Sequence, residues 1–249
     1  MSETKHIARF GLSGFVLKVI ALTSMTADHI GYMLFPSAEW LRIIGRLAFP
    51  IFVYVLAEGC RYTRNPYRRL IIITALGVIC EIVYGIYSGG WYGNIMLQLA
   101  VSVGLLTLLK EGKKALFGEV VNKKNAVIYF ASFAFGVVGA GVFCHFVGFD
   151  YGFAGVMTPV LVGLFDFRSL NPPELLKKLD NFFLRLALFA GALVWLSLSM
   201  RMTVQPWCLL ALVPIALYNE TPGKIKLKYF FYLYYPLHLL IIAGISFLV

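Results

Sequence analysis

Charged residues are scarce in this chain: of its 249 residues, 14% are charged and 60% are hydrophobic. Soluble domains carry about a quarter charged residues, so the shortage predicts a membrane protein. Familiar catalytic motifs are missing as well, including HExxH, GxxxxGKS or GxxxxGKT, a GxSG-type serine motif with a partnering histidine, and the aspartate pair of membrane proteases. The four histidines lack the cysteine or carboxylate spacing of a metal site, so no metal is predicted.

Cysteine is also rare, and no CxxC pair occurs. Cys60, Cys80, Cys144 and Cys208 lie in or at the ends of apolar segments, which favours small buried hydrophobic side chains over disulfides. No internal repeat, low-complexity tract or linker divides the sequence, so a single domain over 1–249 is predicted. The N-terminal segment lacks a small-residue cleavage motif, and we expect the first apolar segment to be retained as a span.

Apolar runs of about 17 to 25 residues predict membrane-spanning helices. Nine are predicted, at 15–35, 41–60, 69–87, 92–109, 126–147, 151–167, 182–200, 203–219 and 228–248. The sixth is short and contains Pro159, which predicts a tilt or a break. The predicted fold is therefore all-α, a polytopic membrane protein.

The net charge of +10 could suit a nucleic-acid partner, but its distribution favours a membrane topology. The basic residues fall in alternate loops: Lys5, Arg9; Arg61, Arg64, Arg68, Arg69; Lys110, Lys113, Lys114, Lys123, Lys124; Arg168, Lys177, Lys178, Arg185; and Lys224, Lys226, Lys228. The opposite loops hold essentially only Arg201. Because positive residues stay cytoplasmic, a cytoplasmic N-terminus, an outer C-terminus and a bacterial plasma-membrane location are predicted, without nucleic acid.

Asp28, His29 and Arg46 lie inside the first two predicted spans. Ionisable groups are costly in a membrane, so they form a functional-site hypothesis. The first two helices should pack as a hairpin with these groups at similar depth. Neighbouring residues on a helix point about 100° apart, so Asp28 should pair with Arg46 and leave His29 for proton chemistry. The alternatives are a structural salt bridge and a hydrogen-bonded core histidine.

Further polar residues fall into two groups. Glu58 lies near the cytoplasmic end of its helix, where it should pair with Arg61 or Arg64 or meet a ligand; Arg61, Arg64, Arg68 and Arg69 are either ligand contacts or plain topogenic charge. The second group is predicted to face a substrate on the outer side or to line its path, and comprises Glu81, Asn94, Gln98, Tyr151 and His238. For His238, a role in helix packing is an equal alternative.

Several segments, in order along nearly the whole chain, resemble the TraX family. They are LKVIALTSMTADHIGYMLFP, LRIIGRLAFPIFVYVLAEGCRYTRN, YRRL, GNIMLQL, DYGFAGV, LVPIALYNE and KYFFYLYYPLHLLI. Gln98 stands where the family pattern suggests Thr, Cys80 replaces a Ser, and YNETPGK replaces a YNGK-like turn.

The resemblance implies an acetyltransferase, because named members of that family acetylate the N-terminus of a conjugative pilin subunit. It also implies similarity to membrane acyltransferases such as the acyltransferase-three proteins and lysosomal heparan N-acetyltransferase, which use cytoplasmic acyl-CoA. The expected donor is acetyl-CoA, and the expected acceptor is an outer-side peptide N-terminus or a cell-surface glycan. His29 would act as the base, Asp28 and Arg46 would support it, and Arg46 or Asn94 could stabilise an oxyanion.

Under this interpretation the arginines at 61, 64, 68 and 69, with Glu58, would bind the donor, since guanidinium groups suit phosphates. Two other function classes remain open. A proton-coupled or small-molecule transporter could use the same buried groups, although no paired half-sequences are visible. A noncatalytic assembly factor would not need His29.

Overall fold

The fold comes from a computed structural model that describes residues 11–88, 90, 93–224, 228–246 and 248. The predicted loop residues Lys5, Arg9 and Lys226 lie outside this range. The all-α prediction is confirmed: the described residues form helices and no strand, apart from an isolated β-bridge between Leu12 and Tyr218.

The helices follow the apolar segments of the sequence. They are α1 Gly14–Met33, α2 Glu39–Gly45, α3 Ala48–Tyr62, α4 Pro66–Ser88, α5 Ile95–Phe117, α6 Lys123–Val147, α7 Gly152–Val162, α8 Glu174–Leu179, α9 Phe182–Met200, a 3-10 helix Gln205–Ala211, α10 Leu212–Ala216 and α11 Lys228–Ser246. Within the described residues, four stretches are long and apolar enough to cross a membrane: Glu39–Tyr62, Ile95–Phe117, Lys123–Val147 and Phe182–Met200. The chain is thus a helical membrane protein, while the count of nine spans and the orientation stay predictions.

The predicted helix 41–60 is interrupted at Arg46 and Leu47, between α2 and α3. Pro50 has no N–H group to donate to the carbonyl of Arg46, so the regular bonding ladder cannot continue there. The amide of Leu47 bonds the carbonyl of Ile44 at 3.2 Å instead, which tightens the turn. This break sets Arg46 at a helix end.

The predicted helix 203–219 is shorter in the structure and is not α-helical throughout. A 3-10 helix, Gln205–Ala211, runs directly into the short α10. Pro214 cannot donate to the carbonyl of Leu210, so regular α-helical bonding is interrupted at this junction. By contrast, the prediction 182–200 matches α9, and α5 extends to Phe117 so that Lys110, Lys113 and Lys114 lie on a helix rather than in a loop.

The chain divides into two compact units, one of residues 1–55 and 203–249 and one of residues 56–202, with the boundary inside α3. In the first unit, α1 packs against α2 and α11. Its buried core is Leu22, Met25 and Ala48, covered by Phe52, Phe231, Tyr234 and Tyr235. The single domain predicted for 1–249 stays a prediction.

In the second unit, α5 contacts α4, α6 and α7, and α7 also packs on α9. The helix α6 leaves an apolar face open, with Val127, Phe135 and Phe146 each more than half exposed. Lipid tails are as apolar as leucine, so this face suits contact with the bilayer.

Candidate active site

Two histidines contact each other in the first unit, His29 on α1 and His238 on α11. Nε2 of His238 lies 3.2 Å from Nδ1 of His29, and the ring centroids are 4.9 Å apart. Each Nδ1 also lies close to the carbonyl four residues earlier, at 2.8 Å for Met25 and 2.9 Å for Tyr234. A carbonyl only accepts, so both Nδ1 atoms carry the proton. In the neutral ring, Nε2 of His29 is therefore unprotonated and carries a lone pair.

The surroundings of His238 hold it firmly. The side chain is buried, and the Tyr234 ring stacks on it with the ring centroids 5.2 Å apart and an interplanar angle of 10°. The hydroxyl of Thr26 donates to the carbonyl of Leu22, so the Tyr234 hydroxyl is the donor in its 2.7 Å contact with Thr26. His29 itself is only half-buried. The pair thus combines a buried histidine, His238, with a half-buried one, His29.

Asp28 forms the predicted ion pair with Arg46. A second arginine, Arg42, also bonds the Asp28 carboxylate at 3.0 Å, and Arg46 donates to Gln205 at 3.3 Å. A Cβ atom on Gly45 would collide with the Asp28 carboxylate, so glycine is required for this close approach. Asp28 and His29 thus have different partners, as the helix geometry predicts; their catalytic roles stay predictions.

The sequence interpretation missed Arg42, although the signal was present. It precedes Arg46 by four residues, and residues at that spacing share one helix face. An arginine on the face that meets Asp28 could therefore have been included in the predicted pair.

In the second unit, a buried arginine cluster comprises Glu58, Arg61, Asp166, Asp180 and Arg185. Three nitrogens of Arg61 bond three carboxylates, at 3.1 Å to Asp166, 3.2 Å to Glu58 and 2.9 Å to Asp180. Arg185 bonds Asp180 at 3.1 Å and lies 3.8 Å from Glu58. The predicted pairing of Glu58 with Arg61 is confirmed, while Arg185, predicted as a loop charge, is buried on α9.

The four arginines that were predicted to contact the donor differ in exposure. Arg61 is 9% exposed and is held by the cluster. Arg69 is half-buried and donates to the carbonyl of Leu56 at 3.3 Å. Arg64 and Arg68 are exposed. Of the four, Arg64 and Arg68 are therefore the most accessible to a ligand.

Two lysines, Lys110 and Lys113, donate to backbone carbonyls next to the arginine cluster. Lys110 donates to the carbonyls of Cys60 and Thr63 at 3.0 Å each, and Lys113 donates to those of Gly163 and Asp166 at 3.2 Å. The cavity between them measures about 20 Å³. A space of that size admits about one water molecule, so it is too small for a nucleotide.

The predicted substrate-side residues Glu81 and Asn94 bond each other in the second unit. The Glu81 carboxylate accepts from the amides of Gly93 and Asn94 at 3.0 Å and from the Asn94 side chain at 2.7 Å. The Asn94 side-chain oxygen caps the first turn of α5. These contacts fix the start of α5.

Gln98 and Tyr151 also come together. The Gln98 side chain donates to the carbonyl of Gly152 at 3.1 Å and accepts from the Tyr151 amide at 3.3 Å. Gly155 leaves the space that the Gln98 amide occupies. Next to this turn lies an open cleft of about 490 Å³, lined by Phe149, Asp150, Tyr151, Gly152, Phe153, Ala154, Trp195, Ser199 and Met200. The substrate-side roles of these residues stay predictions.

Comparison with known proteins identifies the family. The sequence profile described as "TraX protein" matches residues 13–246, which is most of the chain. The chain belongs to the TraX family. Among its relatives, "Protein TraX" of Escherichia coli is 34% identical over 96 residues, 37% of this chain and 38% of that protein. The chain thus aligns with little more than a third of the length of that TraX protein.

A second relative of this TraX-family chain aligns along nearly its full length. "Probable fimbrial assembly protein FimC, serogroup H1" of Dichelobacter nodosus is 25% identical over 259 residues, which is 93% of this chain and 95% of that protein. No solved structure matches the chain.

Proposed function

We propose that this chain is a plasma-membrane acetyltransferase that transfers acetyl from cytoplasmic acetyl-CoA to an acceptor on the outer side. The observation that carries the proposal is the contact of His29 Nδ1 with the Met25 carbonyl. It sets the tautomer of this half-buried histidine and leaves the lone pair on Nε2. The resemblance to acetyl-transferring members of the TraX family supports the reaction. The fimbrial name of one relative supports a peptide amine as acceptor, with a surface glycan as the other candidate.

In the proposed reaction, the nitrogen or oxygen of the acceptor attacks the thioester carbonyl. His29 Nε2 takes the proton that this acceptor amine or hydroxyl loses. The carbon–sulfur bond then breaks, and the proton on His29 passes to the departing CoA thiolate. Bond making and proton movement balance without another reactant. A positioned base of this kind contributes about 10² to 10⁴ in rate.

Positive charge also lies close to the base. Arg42 and Arg46 both interact electrostatically with His29, and together with Asp28 they carry one net positive charge. A fixed positive charge stabilises the oxyanion that develops on the thioester oxygen. Because Asp28 holds the two guanidinium groups in place, the charge needs little reorganisation during the reaction.

The phosphates of acetyl-CoA are assigned to Arg64 and Arg68. Both side chains are exposed, and guanidinium groups form charge-assisted, often bidentate bonds with phosphate. Three other residues were also predicted to bind the donor, namely Glu58, Arg61 and Arg69. Through their contacts within the protein, they support the segment that carries Arg64 and Arg68.

The acceptor is assigned to the cleft beside Tyr151. Its lining includes the aromatic side chains of Tyr151, Phe153 and Trp195. A protonated amine is attracted to aromatic faces, so this lining suits a peptide N-terminus before it loses its proton.

Calorimetric titration of the detergent-purified protein with acetyl-CoA tests the proposal, with free CoA and AMP as ligand controls. We expect saturable binding that weakens in the Arg64→Ala/Arg68→Ala variant. The matched control is Lys123→Ala/Lys124→Ala, which removes two exposed charges elsewhere. Absence of binding to a folded sample at millimolar acetyl-CoA would overturn the acetyltransferase proposal and favour a transporter.

A further inference from the structure

We infer that His238 is a positioning residue for His29: its Nε2 accepts the Nδ1 proton of His29 and fixes the tautomer and ring orientation of the base. The inference rests on the proposed function and gives His238 a different role from the two predicted from sequence, which are helix packing and lining a substrate path. It concerns only residues of the first unit.

The proton positions follow from the carbonyls. The Tyr234 carbonyl, 2.9 Å from Nδ1 of His238, requires the proton on that nitrogen and leaves Nε2 as an acceptor. That acceptor lies 3.2 Å from Nδ1 of His29. Nδ1 of His29 therefore shares its proton between Met25 and His238, and its Nε2 is left as the base.

This arrangement has the logic of a base with an orienting partner. When His29 takes a proton on Nε2, the charge spreads over the ring, and an acceptor at Nδ1 stabilises it. Asp28, the adjacent residue, cannot serve as that acceptor because it is committed to Arg42 and Arg46. His238 takes the place that a carboxylate occupies in other catalytic groups.

Burial separates the two histidines by role. His238 is 5% exposed, stacked on Tyr234, and Tyr234 is tied to α1 through Thr26. A side chain enclosed in this way has little surface to offer a substrate, whereas His29 is half-buried. The positioning role therefore fits His238 better than substrate contact does.

Two conservative substitutions of His238 separate positioning from packing. In His238→Gln, the side-chain oxygen can occupy the place of Nε2 and accept from His29. In His238→Asn, the shorter amide reaches only the place of Nδ1. We expect His238→Asn to lower kcat for acetyl transfer about 10- to 100-fold with little change in the KM for acetyl-CoA, and His238→Gln to recover most of kcat.

The assay follows labelled acetyl from acetyl-CoA to a peptide with a free N-terminal amine, per folded molecule as judged by thermal unfolding. A wild-type kcat in His238→Asn would overturn the inference, and so would equal losses in the Asn and Gln variants. Absence of transfer by the wild-type protein would instead overturn the proposed function and, with it, this role.

A measurement that needs no substrate tests the geometry separately. Nitrogen-15 NMR of histidine-labelled protein in lipid should show Nδ1–H on both rings and a through-bond coupling between Nδ1 of His29 and Nε2 of His238. An Nε2–H tautomer on His29 in the folded wild-type protein would overturn the inference even if acetyl transfer is observed.

Discussion

The histidine pair of the first unit and the buried arginine cluster of the second unit both bring polar groups together between apolar helices, but they use them differently. In the arginine cluster, three nitrogens of Arg61 are bonded to carboxylates of the protein. In the histidine pair, the hydrogen bonds converge on Nδ1 and leave the Nε2 lone pair of the half-buried His29 available.

The comparison teaches that buried charge alone does not locate chemistry. Formation of a buried ion pair requires desolvation of both partners, which offsets much of their attraction. Removal of either partner then strongly destabilises the fold, because the other charge stays buried without a partner. A neutral histidine with a fixed tautomer costs less to bury and retains a reactive atom. We therefore assign structure to the arginine cluster and proton transfer to His29.

The largest expected effect comes from His29→Ala. Loss of the base should lower the acetyl-transfer rate by about 10² to 10⁴, while acetyl-CoA binding and thermal stability remain close to wild type. The matched control is His145→Ala, which removes an exposed histidine of α6 and should leave transfer unchanged. Retained transfer in His29→Ala, measured with labelled acetyl-CoA, would remove His29 from the mechanism.

Arg61→Met should act on stability. It removes the charge but keeps much of the volume, leaving Asp166 and Glu58 short of a cation, and breaking a buried pair costs about 3–5 kcal/mol. Denaturation in detergent measures the change. Arg68→Met, at an exposed position, should change stability by less than about 0.5 kcal/mol. Equal stability of the two variants would contradict the structural role of the cluster.

Gly45→Ala tests the Asp28 ion pairs. The added methyl group would collide with the Asp28 carboxylate, and such overpacking costs about 1–3 kcal/mol. Gly244→Ala on α11 serves as the control, because a Cβ there meets nothing within 4 Å. If the unfolding midpoints of both variants match that of the wild type, α1 and α2 do not approach each other as closely at Gly45 as the structure shows.

The smallest expected effect comes from Arg64→Ala alone. An exposed ion pair contributes about 0.2–1 kcal/mol, so the KM for acetyl-CoA should rise by no more than about fivefold while the KM for the acceptor stays constant. Initial rates at varied donor and acceptor concentrations separate the two constants. A change confined to the acceptor KM would mean that the exposed arginines do not bind the donor.

The fold was predictable wherever a local pattern governs it. Long apolar runs predicted the helices, and the 182–200 prediction coincides with α9. Errors arose where a proline interrupts an apolar run, as at Pro50 and Pro214, because hydropathy does not register a missing N–H donor.

Within the candidate site, sequence reasoning found the pair that a short connection imposes. Asp28 and Arg46 lie on consecutive helices, so their contact follows from local geometry. His29 and His238 are separated by 209 positions, and Arg61 and Asp180 by 119. Contacts at such separations depend on helix packing, which one sequence does not encode in any local pattern.

The most direct test of the central claim is acetyl transfer by the wild-type protein in proteoliposomes. Labelled acetyl-CoA is the donor, and two versions of one peptide are compared, with a free and with a blocked N-terminal amine. Transfer to the free amine, dependent on His29, is the predicted result. Absence of transfer to either peptide and to cell-surface glycan, by protein that is folded and binds acetyl-CoA, would contradict the account.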